Sequence, residues 1–153
     1  MMLGRFEQFS GAIACIHRGI SKIERDEMVK AGYKGIFAPC LLILYHHPDG
    51  IDAAALGRAC DKDKAAVSRI IAEMQKLGLI YRKGENSYRA KLFLTPKGDR
   101  AAHYVCRKAV AAVEAAGRGL TEEERIVFYS CLNRIAANIR KIEKTGIPGN
   151  IEF

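Results

Sequence analysis

The chain has 153 residues, 49% of them hydrophobic, enough to bury a core and too many for a wholly disordered protein. Lys and Arg number 25 against 17 Asp and Glu, giving a formal charge of +8 and a pI near 9.4, the balance of a protein that meets a polyanion. No apolar run reaches the roughly 18 residues of a spanning helix, and "MMLGRFEQFSGAIACIHRG" lacks a secretory signal's order, so the expectation is a cytoplasmic protein with no membrane contact.

Residues 4–31 are predicted as one long helix. Its apolar positions Phe6, Phe9, Ile13, Ile16, Ile20 and Ile23 recur at spacings of 3, 4, 3, 4 and 3, a heptad-like seam narrower than an ordinary core stripe. Gly32 is a natural C-terminal stop. A short apolar helix follows over about 37–47, with Pro39 in its first turn and Pro48 ending it. Asp52 then caps a two-turn helix whose small apolar face is Ala55, Leu56, Ala59 and Cys60. After a turn of about three residues, "DKAAVSRIIAEMQKLG" (63–78) forms another helix.

Beyond Gly78 the period changes from helical to alternating. "LIYRKGENSYRAKLFLT" (79–95) reads as two strands around the turn-rich tip "GENS", with Ala90, Leu92 and Leu94 on one side and Arg89, Lys91 and Phe93 on the other. Thr95 and Pro96 then open a second long helix, rich in Ala, which Gly117 and Gly119 break. "TEEE" (121–124) is a capping box, and the last helix carries Phe128, Leu132, Ile135, Ile139 and Ile142 at spacings of 4, 3, 4 and 3, a second heptad seam. Gly146 and Pro148 end it, and "GNIEF" is read as a loose tail.

Helix, turn, helix and basic hairpin make a helix-turn-helix with a wing. The charge is concentrated there: residues 62–91 hold eight Lys and Arg against three acidic residues. On a helical wheel Val67, Ile70, Ile71, Met74 and Leu77 form an inner stripe, and Ala65, Arg69, Ala72, Glu73 and Lys76 lie opposite, with Ser68 on a flank. A helix entering a major groove about 12 Å wide needs small or hydrogen-bonding residues near its N-terminus. Ala65 and Ala66 allow close approach, Ser68 and Arg69 offer donors to base or phosphate, and free N–H groups at the helix start offer more. Arg82, Lys83, Arg89 and Lys91 suit a wing that crosses a backbone or enters a minor groove.

The stretches "HPDGIDAAALGRACD" (47–61), "DKAAVSRIIAEMQKLGLI" (63–80) and "YRAKLFLTPKG" (88–98) together resemble the MarR family of bacterial transcription regulators. The resemblance implies a winged helix-turn-helix homodimer on a pseudo-palindromic operator, with the first and last two helices as the dimerisation region. It places Ser68 and Arg69 at the DNA-contacting positions of the recognition helix and Arg89 at the wing arginine. The acidic residue that often shortly precedes that arginine is replaced here, in "NSYR".

The expected fold is therefore mainly α with a small hairpin wing: a winged helix-turn-helix lobe over 36–98, and a helical dimerisation region from 1–35 and 99–153. The expected DNA-binding set is Lys62, Lys64, Ala65, Ser68, Arg69, Lys76, Arg82, Lys83, Arg89 and Lys91, serving a double-stranded operator. Dimerisation falls to Phe6, Phe9, Ile13, Ile16, Phe128, Leu132, Ile135 and Ile139. A small aromatic or amphipathic effector is expected to sit among Ile16, Phe37, Leu41 and Tyr104 and to release a repressor from its operator. An alternative is oxidant sensing through Cys15, whose position on the first helix resembles that of a reactive cysteine in one branch of the family. The five cysteines, Cys15, Cys40, Cys60, Cys106 and Cys131, are scattered and include no C-x-x-C; most are read as buried reduced thiols. His46, His47, His103 and Glu24 lack a metal-ligand spacing, and no catalytic motif stands out, so no metal, cofactor or enzymatic activity is expected.

Overall fold

The computed structural model describes residues 2–84 and 90–149. In chain order it contains α1 (Met2–Lys30), a 3-10 turn (Gly35–Phe37), α2 (Ala38–Tyr45), α3 (Ala53–Ala59), α4 (Lys64–Lys76), β1 (Ile80–Lys83), β2 (Lys91–Leu94), α5 (Pro96–Ala116) and α6 (Glu122–Thr145). The protein is mainly helical, with one antiparallel hairpin. It divides into two units, residues 1–115 and 116–153.

Local chemistry sets most helix boundaries in the first unit. The Asp52 carboxylate accepts the Ala55 N–H at 2.7 Å and starts α3; Asp63 accepts that of Ala66 at 2.8 Å and starts α4. At the other end of α4, Gly78 takes φ +67, and the Gly78 and Leu79 N–H groups return to the carbonyls of Gln75 and Met74. This is a Schellman closure, sealed by contact-depth burial of Met74 and Leu79. Thr95 joins three segments: its hydroxyl donates to the Gly78 and Leu79 carbonyls and accepts the Gly98 N–H, which begins α5.

The core lies among all these elements. It comprises Met28 of α1, Phe37, Leu41 and Leu44 around α2, Leu56 of α3, Val67, Ile70, Ile71 and Met74 of α4, Leu79, Ile80 and Leu92 of the hairpin, and Ala101, Ala102 and Val105 of α5. Each large side chain so buried contributes about 1.5–3 kcal/mol of transfer free energy. The α4 stripe is buried as the wheel indicates except at its end. Leu77 is 42% exposed, because the helix ends at Lys76 and the chain has already begun its closing turn. Ala59 likewise faces solvent, leaving Leu56 as the main apolar anchor of α3.

The hairpin pairs Ile80 with Leu94, Tyr81 with Phe93, Arg82 with Leu92 and Lys83 with Lys91. Tyr81 and Phe93 stack with centroids 5.5 Å apart. A further bridge was not legible in the sequence: Ile51 exchanges both backbone hydrogen bonds with Leu92, at 3.3 and 2.8 Å. It ties the loop before α3 to the wing. Gly98 shows how closely α5 meets this region, since a Cβ there would stand 1.9 Å from the Leu79 carbonyl oxygen.

The second unit is α6 and the turn before it. Thr121 and Glu124 form the predicted capping box, each side chain bonding the other's backbone N–H. Arg125 donates to the Gly117 carbonyl at 2.8 Å. No residue of α6 is buried; Phe128, Ile135 and Ile139 are exposed. In the first unit Phe6, Phe9, Ile13 and Ile16 of α1 are exposed as well.

Candidate nucleic-acid interface

The Asp52 and Asp63 caps fix where α3 and α4 begin, and the turn between them is tight. Lys62 N–H bonds the Gly57 carbonyl at 3.0 Å, and Asp61 adopts φ 51. Gly57 permits the approach, because a Cβ there would meet Val67 at 3.2 Å and the Lys62 carbonyl at 3.4 Å. The Ile51–Leu92 bridge then holds β2 against the same corner.

A groove of about 920 Å³ results, bordered by the start of α3, the first turn of α4 and the root of the wing. Arg58, Lys62, Lys64, Ser68, Arg82 and Lys91 line it. Its acidic member, Asp52, is engaged in capping α3. The arrangement is a positively charged trough with a hydroxyl donor in its wall, the electrostatics suited to a phosphate backbone.

Of the expected DNA-binding residues, Lys62, Lys64, Ser68, Arg82 and Lys91 border this groove. Ala65, Arg69 and Lys76 are exposed along α4, and Lys83 is exposed on β1. Arg89 lies outside the described residues, as do Glu85, Asn86 and Ser87 of the expected tip. Lys91 also donates to the Asp49 carbonyl at 3.1 Å, which steadies the wing root. Glu73, on the outer side of α4, is paired with Lys34 at 2.7 Å.

Two details differ from the sequence reading. Arg58 belongs to the groove but was not singled out; the signal was present, since it lies off the Leu56 face of α3 and four residues before Lys62. At the start of α4 one N–H, that of Ala66, is already engaged by the cap. Ala66 gives its N–H to Asp63, and this bond, with a weaker one from Ala65 and the nearby Arg69 charge, holds the Asp63 carboxyl below the usual carboxylate range.

A second cleft, of about 560 Å³, lies between α1, α2 and α5. Ile20, Glu24, Leu42, His46, Cys106 and Val110 are among its walls. Burial pushes the Glu24 carboxyl up, against the opposing influence of His17 and Arg25. Ile16, Phe37, Leu41 and Tyr104 are not brought together around it. Phe37 and Leu41 are wholly buried in the core, because α2 is apolar on every side and a wheel cannot tell its inner face from its outer one. Ile16 sits on the exposed seam, and Tyr104 donates its hydroxyl to Glu27 of α1 at 3.0 Å. Among the described residues no group of three or more His, Cys, Asp or Glu is placed to hold a metal ion, and no helix is long and apolar enough to cross a membrane.

A tight helix-turn-helix followed by a hairpin that packs on it defines a winged-helix protein. The model of the MarR family matches residues 31–87, the segment that runs from α2 through β1. A MarR-family transcriptional regulator from Silicibacter pomeroyi is 25% identical, with a TM-score of 0.71 over 84% of this chain and 87% of its own. One from Listeria monocytogenes, solved in complex with a 26-mer DNA, is 26% identical with a TM-score of 0.68 over 91% and 95%. A MarR regulator from Methanosarcina mazei shares the fold at a TM-score of 0.75, with 23% identity over 89% and 92%. No curated protein matches the chain. The segment match and the shared fold make this chain similar to MarR-family regulators over its helix-turn-helix region. The reading of Cys15 as an oxidant sensor gains no support from these relatives; Cys15 is an exposed thiol on α1.

Proposed function

We propose that the chain is a sequence-specific, DNA-binding transcriptional regulator that acts as a cytoplasmic homodimer on a pseudo-palindromic operator, a repressor released by a small effector. The observation that carries the reading is the basic groove in which Arg58, Lys62, Lys64, Arg82 and Lys91 surround Ser68 at the N-terminal end of α4. The Listeria protein, which was solved in complex with a 26-mer DNA, supports the same reading.

In this account α4 enters the major groove. Ala65 allows close approach, Ser68 and Arg69 reach base edges or phosphates, and Lys62 and Lys64 neutralise the flanking strand. The wing, with Arg82, Lys83, Arg89 and Lys91, follows the backbone beside it. Residues 36–98 form this lobe; 1–35 and 99–153 supply the dimerisation region. A single chain leaves Phe6, Phe9, Ile13 and Ile16 on α1 and Phe128, Ile135 and Ile139 on α6 exposed, large apolar side chains of the kind that mark a protein–protein contact. A second copy covers these seams and sets two recognition helices about one DNA turn, roughly 34 Å, apart. The effector occupies the cleft between α1, α2 and α5, whose apolar walls and half-buried Glu24 suit an amphipathic molecule. It acts by shifting the population of dimers with operator-competent spacing. The protein performs no catalysis.

Selection of bound sites from random duplex DNA tests the proposal. It is expected to return a two-fold-related motif with half-sites about 10 base pairs apart. Against that motif, Arg69→Ala is expected to lose about 1–3 kcal/mol and to relax one base position. Recovery of unselected sequence would refute the reading.

A further inference from the structure

Two of the five scattered cysteines meet in the fold. Cys40, in the first turn of α2, and Cys60, the C-terminal cap of α3, lie 20 residues apart in sequence, yet their Sγ atoms are 3.3 Å apart and share a hydrogen bond. Cys40 is wholly buried in the core, whereas Cys60 is only partly covered. We propose that Cys40 and Cys60 form a dithiol modification site, oxidised to an intrachain disulfide by exchange with a low-molecular-weight disulfide, and that this bond alters the geometry of the groove that Arg58 and Lys62 line on either side of Cys60.

The two thiols are placed for different roles. The two sulfurs share one hydrogen bond that either thiol can donate; that contact, with Lys62 nearby, draws the Cys60 thiol down toward ionisation against the effect of its burial. The same contact, together with burial in the core, pushes the Cys40 thiol up. The accessible sulfur is thus the nucleophile, and the buried one resolves. The Cys60 thiolate attacks one sulfur of the small disulfide, forming a mixed disulfide and expelling one small thiolate. The Cys40 sulfur then attacks the Cys60 sulfur, its proton passes to solvent, and the second small thiolate leaves. Two protein thiols lose two electrons and one small disulfide becomes two small thiols.

Disulfide sulfurs sit about 2.05 Å apart, so closing this pair draws the sulfurs together by somewhat more than 1 Å. The movement falls on a corner with little slack. Cys60 is followed by Asp61 at φ 51, then by Lys62, whose N–H is bonded to Gly57 and whose side chain lines the basic groove. Gly57 in turn packs on Val67 of α4.

The site itself does not depend on the proposed function, but the effect on DNA rests on it, so the two are read separately. The wild-type full-length chain is equilibrated with mixtures of reduced and oxidised glutathione, quenched with a thiol alkylator, and mapped by mass spectrometry. The expected result is a Cys40–Cys60 linked peptide pair that appears as one two-electron couple and disappears on reduction. In Cys40→Ser the reaction is expected to stop at a mixed disulfide on Cys60; in Cys60→Ser, Cys40 stays unmodified. Cys40 and Cys60 remaining as free thiols while Cys15 or Cys131 exchanges would overturn the site. Affinity for the selected duplex is then compared before and after oxidation, with a change of tenfold or more expected and reversal on reduction. A formed disulfide with unchanged affinity would overturn the link to the groove, whereas a reduced protein that binds no duplex would instead refute the regulator reading.

Discussion

Removing two groove charges gives the sharpest quantitative expectation. Arg58 and Lys64 are exposed, they line the same groove, and neither side chain makes a hydrogen bond or ion pair among the described residues. Replacing both by Gln therefore leaves thermal stability within about 0.5 kcal/mol of the parent. Each neutralised phosphate contributes about 0.9 to the slope of log affinity against log salt, so two charges on each of two protomers lower that slope by about 3 to 4. Between 50 and 200 mM salt, that makes the variant about a hundredfold less salt-sensitive than the parent, which itself loses on the order of 10³–10⁵ in affinity if it makes 6–10 phosphate contacts. Fluorescence anisotropy on one labelled duplex across that range measures both. Lys141→Gln on α6 is the control and is expected to leave the slope alone. A slope that stays at the parent value in Arg58→Gln/Lys64→Gln, or falls equally in the control, would refute the placement of DNA in this groove.

Three further outcomes follow from particular contacts. Gly98→Ala sets a Cβ 1.9 Å from the Leu79 carbonyl, a backbone atom that cannot yield without breaking the Thr95–Leu79 bond; denaturant titration is expected to show a loss of about 3 kcal/mol or more. Phe128→Asp combined with Ile139→Asp is expected to convert a sedimenting dimer to monomer while helix content by circular dichroism is retained, since α6 buries no residue in its own chain; an unchanged dimer contradicts the seam. Lys30 and then Tyr104 hold the Glu27 carboxyl below its ordinary value of 4.5. A depressed acid stabilises the fold above its unfolded value and loses that contribution as pH falls through its folded one. Glu27→Gln should therefore flatten the decline in Tm below about pH 4.5, and an identical decline in both proteins would count against the contact.

The parts of this molecule that local chemistry decides were legible in the sequence. Asp52, Asp63 and Thr121 each cap a helix within three residues of themselves, and Gly78 closes α4 through its own backbone, so residue type and spacing sufficed. The apolar stripe of α4 was equally readable, because one polar face opposes one apolar face. What the sequence concealed depends on pairs far apart in the chain. The Ile51–Leu92 bridge is a single residue pair with no strand pattern around Ile51, and Cys40 meets Cys60 only because α2 and the end of α3 converge. Phe37 and Leu41 lie in the core rather than along the cleft, which the sequence could not show because α2 has no polar face to orient it. Tyr104 was assigned from its helix face, whereas its hydroxyl is committed to Glu27 across from α1. Arg58 was within reach of the same reasoning that chose Lys62, but two turns of helix gave too short a pattern to show which way it faced.

The central claim is that the N-terminal end of α4 faces DNA, and site-specific photo-crosslinking tests it most directly. A photoreactive side chain in place of Ser68, exposed on the wall of the groove, is compared with one in place of Ser10, partly exposed on α1 with its hydroxyl bonded to the Phe6 carbonyl. With a selected duplex in slight excess, the account predicts a covalent DNA adduct from position 68, lost on raising the salt, and none above background from position 10. Equal adducts from both positions, or an adduct from position 10 alone, would contradict it.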